Sequence, residues 1–308
     1  MQGAKPPDGA WGVPTFPPFS GGWGEGLCNS SELVGFRKEI LNTQLNIQTV
    51  LAQHPLGLAF DIDGTLSPIA PTPDEARLYP GVMPLLQRAK EHAHIAIMTG
   101  RSIDDGAAML NLDGLTYIGT HGLEWSQGLP WLHPVEIVPE ATAYYEPGKY
   151  LLDLVEQHLS ELPGVIVQRK RIGGSIHYRL SPNPVETRQK LLSLLEQPAR
   201  QANMSLSEGK LVIEVRVPLP VHKGQALRQF VQRFSLRAIV FAGDDRTDLD
   251  AVVEITNMRK EGIAALSIVV QHADTLPELL EQADIIVQGV PGMVELLREI
   301  VAIFSGSG

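Results

Sequence analysis

Residues 56–65 read LGLAFDIDGT, in which five residues without a charged or polar side chain lead directly into two aspartates. A short apolar run that stops abruptly is typical of a buried parallel strand. Asp61 and Asp63 follow this run two positions apart, and Gly64 is a turn signal. Two carboxylates at this spacing repel each other unless a cation lies between them or one keeps its proton. The segment therefore predicts a buried strand that ends in a reactive acidic turn.

Three later apolar runs have the same form. They cover residues 95–98, 115–118 and 238–242. The polar motifs that follow them are Thr99-Gly100-Arg101, Gly119-Thr120-His121-Gly122 and Gly243-Asp244-Asp245. In open α/β sheets, ligands bind in the crevice outside the carboxyl ends of the strands. We therefore expect an α/β fold with a Rossmann-like parallel-sheet core, in which these motifs meet at one site.

The composition is that of a globular protein, and the charge disfavours one class of ligand. Of the 308 residues, 44% are hydrophobic and 19% are charged, and the formal net charge is −10. This balance argues against a nucleic-acid surface, because phosphate backbones are held by clustered Lys and Arg. No apolar run reaches the roughly 18 to 20 residues of a membrane helix, and the N-terminus lacks a secretory pattern. With the single cysteine Cys28, we expect a cytoplasmic protein with no membrane partner.

Composition and the pattern of apolar residues divide the chain into three parts. Residues 1–30 predict a flexible N-terminal segment, because the first 26 positions hold seven Gly and five Pro but no Leu or Ile. Residues 31–133 and 219–308 carry the strand-ending motifs and predict a split catalytic core. Residues 134–218 alternate helix-like and strand-like stretches, which predicts an inserted smaller α+β cap domain. The sequence carries no signal for an oligomeric state.

The paired aspartates suit covalent phosphoryl transfer. An isolated Asp titrates at about 3.9, so we expect Asp61 to be ionised at neutral pH and able to attack phosphorus. Asp63 is then the candidate acid that protonates the leaving oxygen and the base that later activates water. An Asp-x-Asp pair by itself is more typical of a solvated turn than of a catalytic site. The functional interpretation therefore depends on residues elsewhere in the chain.

A second acidic cluster supports the functional interpretation. Asp244, Asp245 and Asp248 place three carboxylates within five positions after another strand. If folding brings them to Asp61 and Asp63, the cluster needs a cation, and Mg²⁺ prefers such oxygen ligands and bridges to phosphate. An aspartate near a helix start is also a good cap, which accounts for one of these acids but hardly for all three.

Three further residues are candidate phosphate contacts. Thr99 offers a hydroxyl, and Gly100 lets backbone amides approach a phosphate closely. Lys223 offers a positive charge that neutralises phosphoryl oxygens. Neither the Thr99-Gly100 motif nor the Lys223-Gly224 motif predicts a phosphate site by itself. A Lys-Gly pair, for example, is usually a surface feature.

The order Asp-x-Asp-Gly-Thr, Thr-Gly-Arg, Lys-Gly and Gly-Asp-Asp-x-x-Asp resembles the haloacid dehalogenase superfamily of phosphatases. The resemblance covers roughly residues 56–133 and 218–300. It implies an aspartyl-phosphate intermediate, an inserted cap, and the nucleophile, acid/base and phosphate roles assigned above. It also implies a Mg²⁺ site, whose ligands are Asp61, the Asp63 backbone carbonyl and Asp244, supported by Asp245 and Asp248.

A closer resemblance is to trehalose-6-phosphate phosphatases. It is carried by DIDGTLSP at 61–68, GTHGLE at 119–124, HYR at 177–179 and GDDRTD at 243–248. It implies hydrolysis of trehalose 6-phosphate to trehalose and inorganic phosphate, a step of trehalose biosynthesis. It also implies sugar-binding residues, namely His121, Lys170, His177, Arg179 and Glu214, with Glu124 at the mouth of the pocket.

Two positions depart from that family's pattern. In that family an acidic residue often lies two positions before the lysine that corresponds to Lys170, and this chain has Gln168 there. Glu is common in the family directly after the residue that corresponds to Asp248, and this chain has Leu249 there. Because one mismatched hydroxyl in a polar pocket can cost a factor of about 10⁴, a related substrate stays open. Glucosylglycerol phosphate, sucrose phosphate and a mannosylglycerate precursor are such alternatives. A phosphomutase and a non-catalytic regulatory module are alternatives of other classes, and the intact acidic motifs disfavour the regulatory module.

Overall fold

The structure is a computed structural model that describes residues 47–306. The predicted flexible segment at 1–30, with Cys28, lies outside the described residues. None of the helices in residues 47–306 combines the length and apolar character that crossing a bilayer requires.

The described strands and helices alternate along much of the chain. The strands are β1 (Leu56–Phe60), β2 (His94–Met98), β3 (Thr116–Gly119), β4 (Glu124–Gln127), β5 (Val135–Ile137), β6 (Ile166–Arg169), β7 (Gly174–His177), β8 (Ser205–Gly209), β9 (Val212–Arg216), β10 (Ala238–Gly243), β11 (Ala264–Gln271) and β12 (Ile285–Gln288). The helices are α1 (Val82–Ala89), α2 (Ile103–Leu110), α3 (Tyr145–Gln157), α4 (Pro184–Gln201), α5 (Lys223–Arg233), α6 (Leu249–Lys260), α7 (Pro277–Gln282) and α8 (Gly289–Gly306).

The larger sheet has β1 near its centre. Its strand order within the described residues is β12-β11-β10-β1-β2-β3-β4-β5. The six strands from β12 to β3 are parallel, whereas β4 and β5 extend the sheet in antiparallel fashion. The carboxyl ends of β1 and β10 therefore lie side by side, with Phe60 in register with Ala242. This register brings the two acidic motifs to one edge of the sheet.

Helices cover both faces of the larger sheet. Leu58 and Phe60 of β1 pack into one apolar cluster with α1, α2 and α8, whereas Ala59 packs into a second cluster with α5 and α6. This division follows from the strand period of two, because successive side chains point to opposite faces. All five residues of β1 are buried, as expected for a strand of a parallel sheet covered on both faces.

A smaller antiparallel sheet is inserted between β5 and α5. Its strand order is β6-β7-β9-β8, and α3 and α4 cover one of its faces. Leu151 and Val155 of α3 pack with Leu191 of α4 and with Ile176 and Ile213 of the sheet. The other face is polar and looks toward the carboxyl ends of the larger sheet, where residues of both sheets line one cavity.

The predicted fold class is confirmed, with one correction to a boundary and several strands that the sequence analysis missed. The predicted cap segment at 134–218 includes β5, which pairs with β4 in the larger sheet. Some of the missed strands, such as β4 and β8, are short or lack a strong apolar run. Others, such as β11, follow the last apolar run that the sequence analysis used. The division into domains otherwise stays a prediction.

Candidate active site

Asp61 begins the acidic turn directly after β1. Its backbone N–H donates to the Ala242 carbonyl at 2.9 Å, which extends the β1–β10 pairing by one residue. Gly64 closes the turn with a φ of +88°, and a Cβ at this position would lie 2.0 Å from Asp244 Oδ2. Only glycine fits both the left-handed backbone and the close approach of the Asp244 carboxylate.

Lys223 lies between Asp61 and Asp248. It is the first residue of α5 and is 2% exposed. Its Nζ atom donates to Asp61 Oδ1 and to Asp248 Oδ1, at 2.6 Å in each case. Although burial opposes a charge here, the carboxylates of Asp248 and Asp61 hold the pKa of Lys223 well above its usual range. Lys223 is therefore a permanently charged group beside the predicted nucleophile.

Asp248 and Asp245 support the site. Asp248 uses its second oxygen, Oδ2, to accept the backbone N–H groups of Asp244 and Asp245 at 2.9 and 3.0 Å. Asp245 accepts the backbone N–H of Thr247 at 2.8 Å, which completes a capping box before α6. Both oxygens of Asp248 thus have partners within the protein. These contacts fix the loop that presents Asp244.

The cluster gathers four carboxylates around one buried lysine. Burial, and then the charges of Asp248 and Asp245, raise the pKa of Asp61 well above its usual range, although Lys223 opposes this. Burial and the charge of Asp61 likewise raise the pKa of Asp244. The pKa of Asp248 is about 6, mainly because of burial. These surroundings therefore oppose the ionisation of Asp61 that the sequence analysis expects, and further positive charge beside the cluster would favour it.

The arrangement of donor atoms suits a divalent cation. One oxygen each of Asp61, Asp244 and Asp248 lies within 4.8 Å of the others. Among the described residues, the Asp244 carboxylate has only long hydrogen-bond and ion-pair contacts, to Thr65 Oγ1 at 3.5 Å and to His272 Nε2 at 3.8 Å. Since Asp248 is fully used by protein donors, Asp61 and Asp244 are the carboxylates best able to hold a hard cation.

Asp63 lies beside Arg101 rather than beside Lys223. Nε and Nη2 of Arg101 donate to the two Asp63 oxygens at 2.6 and 2.7 Å, and Nη1 donates to the Pro73 carbonyl at 3.0 Å. The backbone N–H of Arg101 donates to Thr99 Oγ1 at 3.1 Å. Thr99 is 3% exposed, at the end of β2. A forked pair of this kind fixes the orientation of a carboxylate.

The smaller sheet contributes Glu214 from β9. Its Oε1 accepts from Lys170 Nζ at 3.1 Å and from Ser175 Oγ at 2.9 Å, and its Oε2 lies 3.6 Å from His121 Nε2. Burial opposes ionisation, but the charge of Lys170 and the contact with His121 hold the pKa of Glu214 well below its usual range. Glu214 is therefore a fixed carboxylate.

His121 faces the cavity beside Gly100 and lies in the short 3-10 turn that follows β3. Burial lowers the pKa of its imidazole, and the contact with Glu214 opposes this only in part. Within the described part of the chain, His121 Nδ1 is a buried atom without a hydrogen-bond partner. Such an atom is costly unless a ligand or water pairs with it.

His177 and Arg179 lie on the β7 side of the cavity. His177 Nε2 contacts Gln168 Oε1 at 3.2 Å, and Gln168 Nε2 donates to Asp105 Oδ2 of α2 at 3.1 Å. Arg179 Nη1 donates to the Ala70 carbonyl at 2.9 Å. These contacts join the smaller sheet to the larger one around the cavity.

The cavity has a volume of about 940 Å³. The predicted site residues that line it are Asp61, Asp63, Thr99, Gly100, His121, His177, Arg179, Glu214, Lys223, Asp244 and Asp245. Lys170 and Asp248 lie behind this lining and contact Glu214 and Lys223, respectively. The structure therefore brings the predicted residues into one place, although they are up to 187 positions apart in sequence.

Glu124 is a correction to the sequence analysis. It is 2% exposed and is absent from the cavity lining. Its oxygens accept the Ile103 backbone N–H at 2.9 Å and the Thr120 hydroxyl at 3.2 Å. Because Glu124 points inward from β4, it provides the hydrogen-bond acceptor for the first backbone N–H of α2. It also anchors the loop after β3 through Thr120.

Four residues at the site were given no role from the sequence. They are Arg101, Asp105, Ser175 and His272. Arg101 was part of a quoted motif, and its pairing could have been suspected from the need to hold Asp63. His272 directly follows β11 and donates to the Gly64 carbonyl at 2.8 Å. A search for polar residues after every parallel strand would have found it.

Comparison with known proteins gives one consistent result. The family model described as trehalose-phosphatase matches residues 59–278. The trehalose-phosphate phosphatase of Mycobacterium leprae is 33% identical over 228 residues, which are 70% of this chain and 50% of that protein. The Mycobacterium tuberculosis protein of the same name is 30% identical over 231 residues, 73% of this chain and 56% of that protein. The chain thus spans about half the length of these curated relatives.

Solved structures agree with the sequence matches. A crystal structure of a trehalose-6-phosphate phosphatase related protein aligns with a TM-score of 0.69 at 27% identity, over 82% of this chain and all of that one. The C-terminal domain of Candida albicans trehalose-6-phosphate phosphatase aligns with a TM-score of 0.70 at 18% identity, over 85% and 97% of the two chains. The second alignment supports the fold alone.

Proposed function

The chain belongs to the trehalose-phosphatase family, and from this we propose that it hydrolyses trehalose 6-phosphate to trehalose and inorganic phosphate as a Mg²⁺-dependent enzyme. The observation that carries the proposal is the placement of Asp61. This carboxylate contacts Lys223, lies among Asp244 and Asp248, and faces the cavity that Glu214 of the smaller sheet also lines.

The proposed reaction has two steps on Asp61. First, an Asp61 oxygen attacks phosphorus, the bond between phosphorus and the sugar oxygen breaks, and Asp63 gives a proton to that oxygen. In the second step, Asp63 takes a proton from water, which attacks the aspartyl phosphate and releases inorganic phosphate. Asp61 then regains its free carboxylate.

Lys223 and Thr99 are the proposed phosphate contacts within the chain. Phosphoryl transfer is catalysed mainly by positioning and by stabilisation of charge on the phosphoryl oxygens. Lys223 supplies a buried, permanently charged ammonium beside Asp61, which suits this task. Asp61, the Asp63 carbonyl and Asp244 would hold Mg²⁺, which supplies further positive charge to the phosphoryl oxygens.

The Asp63 carbonyl is suited to that role by the hydrogen bonds of its turn. The N–H groups of Thr65, Leu66 and Ser67 donate to the Ile62 carbonyl, and that of Gly64 donates to the Ser67 carbonyl. These bonds close the turn without using the Asp63 carbonyl.

Arg101 constrains the proposed acid and base. Both Asp63 oxygens accept hydrogen bonds from its guanidinium. To deliver a proton to the sugar oxygen, Asp63 must therefore exchange one of these bonds for a bond to substrate. We expect Arg101 to keep the carboxylate oriented during that exchange.

The sugar is proposed to bind against the smaller sheet. Glu214, His177 and Arg179 line the cavity opposite the acidic cluster, and His121 Nδ1 is a buried atom in need of a partner. Hydroxyl groups can serve all four residues, because a hydroxyl both donates and accepts hydrogen bonds. Lys170 is proposed to act through Glu214, which it holds ionised.

Two experiments test the proposal. Asp61→Asn should lower kcat for trehalose 6-phosphate by about 10⁴-fold or more, because the nucleophile is lost. Asp153→Asn is the matched control, since Asp153 lies on α3 and pairs with Arg169 outside the cavity lining. An Asp61→Asn enzyme with near-normal phosphate release would contradict the assignment of the nucleophile.

Phosphate release from a panel of sugar phosphates, with and without Mg²⁺, tests the substrate. Trehalose 6-phosphate should be hydrolysed with the highest kcat/KM, and EDTA should abolish turnover. A preference for glucosylglycerol phosphate or sucrose phosphate would instead favour the related-substrate hypothesis. Interconversion of glucose phosphates with little net phosphate release would favour a phosphomutase.

A further inference from the structure

Asp105, Gln168 and His177 form a chain of contacts from the larger sheet to the smaller one. Asp105 lies in the first turn of α2, Gln168 on β6 and His177 at the end of β7. Gln168 Nε2 lies 3.1 Å from Asp105 Oδ2, and Gln168 Oε1 lies 3.2 Å from His177 Nε2. Gln168 and His177 also line the cavity.

The direction of the hydrogen bonds in this chain follows from Asp105. An ionised carboxylate only accepts hydrogen bonds, so the Gln168 atom that faces it must be the amide nitrogen. The amide oxygen of Gln168 then faces His177 and can only accept. His177 must therefore carry its proton on Nε2, and its Nδ1 is left as an acceptor.

The environment of His177 agrees with a neutral ring. Burial and the charge of Lys170 lower the pKa of the imidazole, and Glu214 opposes this only in part. A neutral ring with its proton on Nε2 offers one lone pair, on Nδ1, to a donor in the cavity. A sugar hydroxyl is such a donor.

We propose that Asp105 and Gln168 are positioning residues that hold His177 in its Nε2–H form, so that Nδ1 accepts a hydrogen bond from a sugar hydroxyl of the substrate. The proposal rests on the proposed function of the cavity. Because Asp105 belongs to the larger sheet's layer and Gln168 to the smaller sheet, the hydrogen-bond chain is complete only while the two are in contact. The contact between Gln168 and Asp105, which joins the two sheets on this side of the cavity, thus also fixes the tautomer in which His177 would bind the sugar.

The amide of Gln168 is essential to this arrangement. A glutamate at position 168 would place two carboxylates about 3 Å apart, at the distance now spanned by the bond to Asp105. It would still accept from His177, but it would repel α2. In the double variant Asp105→Asn with Gln168→Glu, the two groups are exchanged. The amide N–H at position 105 would donate to the carboxylate at position 168, and that carboxylate would still accept from His177.

The kinetic test uses Gln168→Glu, Asp105→Asn and the double variant in the 308-residue chain at about pH 8, where histidine is normally neutral. Gln168→Glu should raise KM for trehalose 6-phosphate up to about tenfold, the scale of one lost hydrogen bond between neutral groups. The double variant should bring KM back to within about threefold of the unmodified protein. A double variant no better than Gln168→Glu would overturn the proposed contact.

Asp104→Asn is the matched control for general weakening of the junction. Asp104 is the neighbour of Asp105 and pairs with Arg171 at 2.8 Å, across the same junction but without a link to His177. It should change KM for trehalose 6-phosphate and for p-nitrophenyl phosphate by the same factor. Gln168→Glu should raise KM for the sugar phosphate more than for the aryl phosphate, and equal factors would overturn a positioning role.

The tautomer of His177 provides a readout that needs no substrate. In protein labelled with ¹⁵N-histidine, the His177 signals, assigned by their loss in His177→Gln, should report the Nε2–H form. Asp105→Asn allows the Gln168 amide to turn over and should populate the Nδ1–H form, whereas the double variant should restore Nε2–H. An unchanged Nε2–H signal in Asp105→Asn would overturn the proposal. If the protein does not hydrolyse trehalose 6-phosphate, the proposed function fails while the tautomer measurement still decides this point.

Discussion

Gly64→Ala is a substitution whose effect on activity can be separated from its effect on stability. Gly64 has a φ of +88°, and the added Cβ would lie 2.0 Å from Asp244 Oδ2 and 2.3 Å from Asp244 Cγ. A non-glycine residue in this backbone region costs about 1–2 kcal/mol. Real Cβ contacts are essentially never shorter than 3.0 Å, so the Asp244 carboxylate must also move by at least 1 Å.

The displacement of Asp244 sets the expected size of the effect on activity. A misplacement of about 1 Å in a catalytic arrangement can cost about 10²-fold in rate. We therefore expect kcat/KM for trehalose 6-phosphate to fall about 10²-fold in Gly64→Ala, and the Mg²⁺ concentration for half-maximal activity to rise. The thermal midpoint should fall by only a few degrees.

Gly81→Ala is the matched control. Gly81 precedes α1 with a similar φ of +94°, but its added Cβ would meet only Val294 Cγ1, at 3.9 Å. It should lower the thermal midpoint by a comparable amount and leave the Mg²⁺ dependence as it is. The assay is phosphate release over a range of Mg²⁺ concentrations, with thermal unfolding of the same samples. If Gly64→Ala were as active as Gly81→Ala, the position of Asp244 would not matter and the metal assignment would be refuted.

Contacts around the site set the expected effects of changing Glu214, Asp244 and Glu124. Because the pKa of Glu214 is lower in the folded protein than its ordinary value of about 4.5, ionised Glu214 should stabilise the fold above about pH 4.5. This stabilisation should decline as the pH falls through the folded-state pKa of Glu214. Glu214→Gln should therefore flatten the acid limb of a plot of unfolding free energy against pH. Saturating Mg²⁺, at about 100 times its Kd, should raise the unfolding free energy by about 2.7 kcal/mol, and Asp244→Asn should lose most of this gain in thermal scans. Glu124→Ala should destabilise the protein by about 1–3 kcal/mol because the Ile103 N–H loses its buried acceptor; urea titration would measure this, and a selective rise in KM instead would restore Glu124 to the sugar pocket.

The sequence predicted the larger sheet best where strands are short, apolar and followed by polar residues. The expected run at 56–60 is β1 itself, and the run at 95–98 differs from β2 by one residue. β8 was missed, because Ser205–Gly209 has little apolar character and is held mainly by pairing with β9. β5 was placed in the wrong segment for a related reason, since its three residues are assigned to a sheet only by their pairing with β4.

Within the site, the sequence identified the acidic motifs but not how their charges are shared. Asp248 was expected from the sequence only to support the metal site, and the structure shows how, because its two oxygens are occupied by Lys223 and by backbone N–H groups. Glu124 resembles a pocket residue, yet it points inward to Ile103. Such assignments depend on which donors surround a carboxylate, and those donors come from distant parts of the chain.

The sequence by itself determined that acids follow buried parallel strands, and hence that they share one edge of a sheet. That conclusion needs only local patterns, because apolar runs define the strands and parallel pairing aligns their carboxyl ends. The tertiary structure decided that Arg101 holds Asp63, that Lys223 joins Asp61 to Asp248, and that Gln168 links Asp105 to His177. Asp105 and Gln168 are 63 positions apart. No local pattern encodes their distance, because only the packing of the inserted sheet against α2 brings the two side chains together.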